Sequence, residues 1–172
     1  TVSSVALKLL KARLDIPIID VITPIAYNLK SQKTLHRIAV IGTHNTIQSN
    51  AYSMILKEAN PNLKIFQKAC PLFVPIIEEG LQDDLIAHLA IKKYLTNILH
   101  HNIEILILGC THYPLIKKNI KKNIPKNIKI IDSAKATSLY LNRYLTKSKL
   151  GCSKKTQDDR IIITDKANNF SE

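Results

Sequence analysis

A cysteine, a threonine and a histidine follow one another directly after an apolar run in this sequence. The run ILILG ends at Gly109, and Cys110, Thr111 and His112 come next. A thiolate is a base or nucleophile, and the unpaired N–H groups at the start of a helix lower the pKa of a thiol placed there. His112, two residues on, could move a proton or orient a substrate. These residue types indicate a reactive thiol; the alternative is a small buried cysteine followed by a helix-capping threonine.

Two further segments carry polar side chains at the ends of apolar runs. Thr43 and Thr46 lie three residues apart in GTHNT, where a strand turns into a helix. Their hydroxyls, with the adjacent N–H groups, could hold a carboxylate or simply cap the helix. The segment ACPLFVPIIEEGLQDD (69–84) contains Glu78 and Glu79. It predicts either a packed loop that ends in a surface acid pair or a carboxylate that reaches the amino group of a substrate.

Metal, flavin and nucleotide chemistry are disfavoured by the residue spacing. No set of histidines and carboxylates has the spacing of metal ligands, so we expect no metal site. The four glycines form neither a GxGxxG motif nor a Walker loop, and we expect no cofactor. The three cysteines, Cys70, Cys110 and Cys152, form no CxxC pair. Their odd number argues against a secreted disulfide framework and predicts a reduced, cytoplasmic protein.

The charge of the chain is strongly positive, with a net value of +12 that comes mostly from lysine. The densest stretch is KKNIKKNIPKNIK at 117–129, whose lysines have helical spacing. We interpret it as a solvated helix face. A basic protein that binds nucleic acid is the alternative, but no motif supports it and there is little aromatic content for base stacking. No apolar run approaches the roughly 20 residues of a membrane helix, so no membrane partner is expected.

Short apolar runs alternate with amphipathic stretches along the chain. The runs are rich in β-branched residues, as in strands buried on both faces. They predict strands at 16–22, 36–43, 63–69, 103–109, 128–132 and 160–164. Helical periodicity occurs at 4–14, 45–59 (with Tyr52, Ile55 and Leu56 facing inward), 81–101 and 133–145, the last after the N-cap residues Asp132 and Ser133. This alternation predicts an α/β fold with a largely parallel sheet. Ligands bind beyond the carboxyl ends of such strands, where the candidate residues fall.

Three segments, taken together, resemble the characteristic segments of the bacterial glutamate racemases in the aspartate/glutamate racemase family. They are VIGTHNTIQSNAY (40–52), ACPLFVPIIEEG (69–80) and ILGCTHYPLI (107–116). The opening TVSSVALKLLKARLDIPIIDVITP resembles the stretch that follows an Ala-Cys-Asn in that family. The resemblance implies three-layer lobes, each a parallel sheet with helices on both faces, and an active site between two such lobes. It also implies catalysis without pyridoxal phosphate or metal, and a product, D-glutamate, that enters peptidoglycan in the cell wall and so maintains cell shape.

The resemblance also implies roles for individual residues. Two cysteines face opposite sides of the substrate Cα; one thiolate removes the α-proton and the other thiol delivers a proton to the opposite face. Cys110 matches the base that faces the proton of the L-isomer, and His112 supports that thiol. The matches to substrate-binding positions are Thr1, Thr43, Thr46, Glu78 and Thr111.

The match is incomplete at its start, and this divides the chain into three expected parts. Residues 23–131 form a complete second α/β lobe, 1–22 a remnant of the first lobe, and 132–172 a C-terminal return to the first lobe. The other catalytic cysteine would precede Thr1, and neither Cys70 nor Cys152 is a candidate to replace it. The chain alone is therefore expected to be inactive and to expose apolar surface on the parts outside the complete lobe. The alternatives are an inactive truncated remnant or a racemase for aspartate; homo-oligomerisation is left open.

Overall fold

Four strands alternate with helices in a computed structural model, which describes residues 3, 6–30, 32 and 34–150. The strands are β1 (Arg37–Gly42), β2 (Lys64–Ala69), β3 (Ile105–Leu108) and β4 (Lys129–Asp132). The helices are α1 (Leu7–Arg13), α2 (Thr23–Leu29), α3 (His44–Gln48), α4 (Ala51–Ala59), α5 (Phe73–Glu78), α6 (Leu85–Leu99), α7 (Tyr113–Lys122) and α8 (Ser133–Lys147). From β1 onward, strands alternate with helical segments as the hydrophobic pattern predicts.

The four strands form one parallel sheet in the order β2-β1-β3-β4. Strand β1 is central and pairs with β2 and β3; Ile41 lies opposite Lys68 on one side and Leu108 on the other. All carboxyl ends therefore lie along one edge. The predicted strands at 36–43, 63–69, 103–109 and 128–132 are confirmed.

Helices cover both faces of the sheet, because alternate strand residues point to opposite sides and both sides are apolar. Helices α5, α6 and α7 bury one face, where Phe73, Ile91 and Tyr113 pack with Ala39 and Leu106. On the other face, α2, α4 and α8 pack against the sheet; this core includes Ile25, Tyr52, Leu56, Val40, Ile107 and Ala136. The predicted three-layer α/β lobe is confirmed.

The predicted strand at 16–22 is wrong. These residues belong to no strand, and Asp20, a carboxylate that is 4% exposed, ends the segment as a cap. One carboxylate oxygen accepts the N–H groups of Ile22 and Thr23, both at 2.7 Å, and the other accepts the Thr23 hydroxyl at 2.6 Å. Because these bonds satisfy the N–H groups of Ile22, the N-cap residue, and of Thr23, the first residue of α2, the backbone turns into a helix instead of pairing with the sheet. The predicted strand at 160–164 lies outside the described residues.

The predicted helix at 45–59 is two helices. Asn50 has a left-handed backbone (φ 55°) between α3 and α4, a conformation that asparagine tolerates better than most residues. Tyr52 and Leu56 face inward as predicted, and Ile55 is partly buried.

The predicted helix at 81–101 is shorter, since Asp84 caps it by accepting the N–H of Ile86 at 3.0 Å. The loop expected over 69–84 contains α5, whereas the helix after Asp132 forms as predicted.

Helix α1 lies within the helix predicted at 4–14, but it buries no residue, and its apolar residue Leu9 is 54% exposed. Further large apolar side chains are exposed on the segments flanking the sheet: Leu14, Ile16, Leu139, Leu141 and Leu150. Exposure is not confined to these segments, since Leu85 of α6 and Leu115 of α7 are 68% and 66% exposed. Among the residues that the structure describes, no helix combines the length and apolar character needed to cross a membrane.

Candidate functional site

The carboxyl ends of three neighbouring strands bring the candidate residues to one edge of the sheet. The N–H of Gly109, just after β3, donates to the carbonyl of Ile41 at 2.8 Å. The N–H of Cys70, just after β2, donates to the carbonyl of Gly42 at 2.9 Å. The ladder thus continues past the strand ends, and the segments that start at Thr43, Cys70 and Cys110 lie side by side.

Cys110, His112 and Glu78 form a connected chain of side chains at this edge. The Cys110 Sγ lies 4.0 Å from Nδ1 of His112, and the other ring nitrogen, Nε2, lies 3.2 Å from a Glu78 carboxylate oxygen. Cys110 is 8% exposed, while the side chains of His112 and Glu78 are 37% and 59% exposed. A nearly buried thiol is therefore linked through an imidazole to a carboxylate at the surface, an arrangement that can carry and orient a proton.

Packing among aromatic residues positions the helices that carry these groups. The Tyr113 hydroxyl donates to the carbonyl of Cys70 at 2.9 Å, which ties the start of α7 to the end of β2. The ring of Tyr113 also lies edge-on to Phe73 of α5, with centroids 5.2 Å apart. Helix α5 ends at Glu78, so this contact holds the carboxylate near His112. Burial raises the pKa of Tyr113, helped by the charges of Cys70, Cys110 and Tyr94, so its phenol stays a neutral donor.

Thr43 and Thr46 form the second part of the edge. Thr43 is the N-cap of α3, and its hydroxyl accepts the N–H of Thr46 at 3.3 Å. The two hydroxyl oxygens lie 3.0 Å apart, and Thr46 is 1% exposed. The capping expected from their spacing is therefore present, and it brings the two hydroxyls together beside the segment of Cys110.

The remaining predicted residues are placed differently. Thr111 is exposed, in the turn between Cys110 and α7. Thr1 lies outside the described residues. Within the described ranges, no group of three or more histidine, cysteine or acidic side chains is arranged to hold a metal ion.

Cys70 shows how differently two thiols can be placed in one fold. It is fully buried, and burial raises the pKa of its thiol to about 12, with Lys68 opposing the shift. Its Sγ lies 3.8 Å from the carbonyl of Lys68. Such a thiol stays protonated at neutral pH and cannot act as a base.

One residue near the site was expected only as a core residue. Tyr52 is 1% exposed, and a Cβ built on Gly109 would lie 3.1 Å from its ring carbon Cε2. No pattern along the sequence marks this contact, because Tyr52 and Gly109 meet only once α4 packs on the sheet.

Comparison with known proteins agrees with this architecture. Residues 2–139 match the family model described as Asp/Glu/Hydantoin racemase. The glutamate racemase of Persephonella marina is 45% identical over all of this chain and 64% of its own length. That of Geobacter metallireducens is 41% identical over 80% of this chain and 51% of its own length. The crystal structure of the Francisella tularensis glutamate racemase, in complex with D-glutamate, superposes with a TM-score of 0.81 at 38% identity and covers 90% of this chain.

This chain spans only part of those relatives. It covers 51% and 64% of the two curated proteins and 57% of the Francisella tularensis chain. The family match extends over most of this chain, however, and includes the strands, the Thr43 turn and the Cys110 turn. The resemblance read from the three segments is confirmed, and the chain belongs to the Asp/Glu/hydantoin racemase family.

Proposed function

We propose that this chain supplies half of the active site of a cofactor-independent racemase that acts on glutamate. The proposal rests on the contacts that link the side chains of Cys110, His112 and Glu78 at the carboxyl edge of the sheet. The paired hydroxyls of Thr43 and Thr46 lie on the adjacent strand end. A proton-transfer group and hydroxyls for a carboxylate therefore meet where parallel sheets bind ligands.

In the proposed reaction, the Cys110 thiolate takes the α-proton of L-glutamate and becomes a thiol. The electron pair of the broken C–H bond stays on Cα, and a thiol on the opposite face donates a proton there, which gives D-glutamate. The reverse reaction exchanges the roles of the two thiols. The α-proton is a very weak acid, so the developing negative charge must be stabilised by donors around the substrate.

We assign distinct roles to the other site residues. His112 receives and returns protons at Cys110 or orients its thiol, and Glu78 orients the imidazole through the 3.2 Å contact at Nε2. Thr43, Thr46 and Thr111 bind the substrate, as does Thr1. The 4.0 Å separation of the Cys110 Sγ and His112 Nδ1 would shorten in the substrate complex, as catalytic contacts often do.

The second thiol must come from elsewhere. Cys70 is unsuitable because it is buried and its pKa is raised to about 12. We propose that residues 23–131, with α8 packed on their sheet, form one complete lobe, and that the other lobe carries the second cysteine upstream of Thr1. The 172-residue chain alone should then exchange the α-proton of L-glutamate without producing D-glutamate.

The cellular role follows from the resemblance. We propose that the complete protein makes D-glutamate for peptidoglycan in the cytoplasm, without a cofactor. Aspartate is the alternative substrate, since the family model includes aspartate racemases by name. The length of the three segments that resemble the glutamate racemases favours glutamate as the substrate. An inert remnant of such an enzyme is the other alternative.

Proton exchange in D2O separates these alternatives. The chain is incubated with L-glutamate or L-aspartate, and the α-proton signal is followed by NMR. Loss of the signal from L-glutamate, faster than from L-aspartate, is the expected result. Faster loss from L-aspartate would identify aspartate as the substrate. No loss from either amino acid would mean that this chain is inert.

A further inference from the structure

Positive charge is concentrated at the β4 edge of the sheet. Residues 113–150, which include α7, β4 and α8, contain ten lysines and arginines but only one acidic residue, Asp132, and so hold a net +9 of the chain's +12. Strand β4 ends the sheet order, and the carboxylate of Asp132 is paired with Lys117 at 2.5 Å. A surface with this charge attracts a polyanion.

A groove between α2 and α8 runs from this edge along α8. It consists of three adjoining cavities. The first, of about 410 Å³, is lined by Lys129, Lys135 and Asn28 among others. The second, of about 460 Å³, shares Asn28 with the first and is also lined by Arg143. The third, of about 420 Å³, shares Arg143 with the second and extends to Lys147. Because neighbouring cavities share lining residues, they form one continuous concave surface.

Three of the six tyrosines of the chain line this groove. Tyr27 of α2 and Tyr140 of α8 meet edge to face, with ring centroids 5.6 Å apart and an angle of 77° between the rings. Tyr27 is 55% exposed, and Tyr144 lies one turn further along α8 in the same cavity. The sequence has few aromatic residues, but the fold gathers half of its tyrosines beside Arg143 and Lys147.

Aromatic rings in a basic groove are the two parts of a site for single-stranded nucleic acid, in which bases stack on the rings and lysine and arginine contact the phosphates. From Lys135 to Lys147, α8 is about 18 Å long, the length of about five stacked nucleotides. A duplex fits less well, because its bases are already stacked on one another. An anionic membrane also fits less well, because a flat surface does not enter a groove.

We propose that the groove between α2 and α8 binds single-stranded nucleic acid. Tyr27 and Tyr140 stack on bases, while Lys129, Lys135 and Arg143 contact phosphates. This activity goes beyond the proposed function, since no described residue that we assign to catalysis or substrate binding lines the three cavities.

The test is the binding of a fluorescein-labelled oligothymidylate of about ten nucleotides to the 172-residue chain, followed by fluorescence anisotropy as the salt concentration rises. About four phosphate contacts on a single strand predict a slope of about −3 for log affinity against log salt. Arg143→Glu should weaken binding about tenfold and make this slope shallower. Its matched control is Lys93→Glu, the same charge change at an exposed residue of α6 on the other face of the sheet. At about 150 mM salt the control should change the affinity less than about threefold, because distant charges are screened.

A second variant separates stacking from charge. Tyr27→Leu keeps an apolar side chain but removes the ring, so it should weaken oligothymidylate binding about tenfold. Binding of inorganic polyphosphate, measured by calorimetry, should not change, because polyphosphate has charges but no bases.

Several results would overturn the proposal. They are no binding of the oligothymidylate, equal weakening by Arg143→Glu and Lys93→Glu, and an affinity that Tyr27→Leu leaves unchanged. Tighter binding of a duplex of the same length, or binding to phosphatidylserine vesicles without binding to the oligothymidylate, would also overturn it. None of these readouts uses an amino-acid substrate, so the groove and the racemase function can be refuted independently.

Discussion

Replacing Gly109 by alanine should destabilise the fold at the base of the Cys110 turn. The added Cβ would lie 2.9 Å from the carbonyl oxygen of Ile41, closer than real Cβ contacts come. That carbonyl accepts the Gly109 N–H at 2.8 Å, so it cannot retreat without weakening the ladder between β1 and β3. The ring of Tyr52, at 3.1 Å from the new atom, prevents a shift in the other direction.

The magnitude of this effect can be estimated from general packing energetics. Overpacking a rigid site costs about 1–3 kcal/mol. A chain of this size loses roughly 2–4 °C of melting temperature per kcal/mol, so Gly109→Ala should melt roughly 2–12 °C lower. The assay is thermal unfolding followed by circular dichroism at neutral pH.

Gly42→Ala is the matched control for this substitution. Its Cβ would meet side-chain atoms of Thr46 at 3.0 and 3.1 Å, and no backbone atom is among its nearest neighbours. A side chain can move by a few tenths of an ångström more easily than a backbone carbonyl, so the control should lose less stability. A Gly109→Ala chain that melts within about 1 °C of the unsubstituted chain would refute the reasoning.

Three other substitutions test separate contacts. Glu78→Gln removes the charge that faces His112 and should slow α-proton exchange roughly 10–100-fold, the effect that losing a histidine-orienting carboxylate has at metal sites. An unchanged NMR exchange rate would show that Glu78 has no role in the reaction. Burial alone would raise the pKa of Asp132, but the hydrogen bonds from Lys117 and from a backbone N–H outweigh burial and lower that pKa. The ionised Asp132 therefore stabilises the fold above about pH 3.9, and this stabilisation is lost as the pH falls through the pKa of the folded state. Asp132→Asn should therefore melt lower at pH 7 and show a shallower acid-side decline in melting temperature, and parallel curves would contradict the assignment. Asp20→Ala removes three accepted hydrogen bonds and should cost about 1–2 kcal/mol in urea unfolding, whereas a cost near zero would mean that α2 needs no such cap.

Hydrophobic pattern was sufficient to predict the centre of the sheet, because β1 and β3 are buried on both faces. The runs around Ile41 and Ile107 have no polar face, and such runs occur mainly in parallel sheets covered by helices. The same pattern misled at 16–22. That run is equally apolar, but Asp20 bonds to the N–H groups that follow it and starts a helix. A local side-chain-to-backbone bond decided the structure there, and periodicity does not report such bonds.

The site was predictable in its residues but not in its connections. Strand-end position and residue type singled out Cys110, His112 and Thr43, since the carboxyl edge of a parallel sheet is where ligands bind. The contact between Glu78 and His112 depends on the packing of α5 against α7, which joins residues far apart in the chain. Sequence spacing contains no information about that packing.

The central claim is that Cys110 is the base for the α-proton of L-glutamate. It is tested most directly by NMR in D2O with the 172-residue chain, L-glutamate or D-glutamate, and the variant Cys110→Ser beside it. The expected result is loss of the α-proton signal from L-glutamate, with no loss from D-glutamate and none in Cys110→Ser above the rate without protein. Equal exchange in the chain and in Cys110→Ser would contradict it.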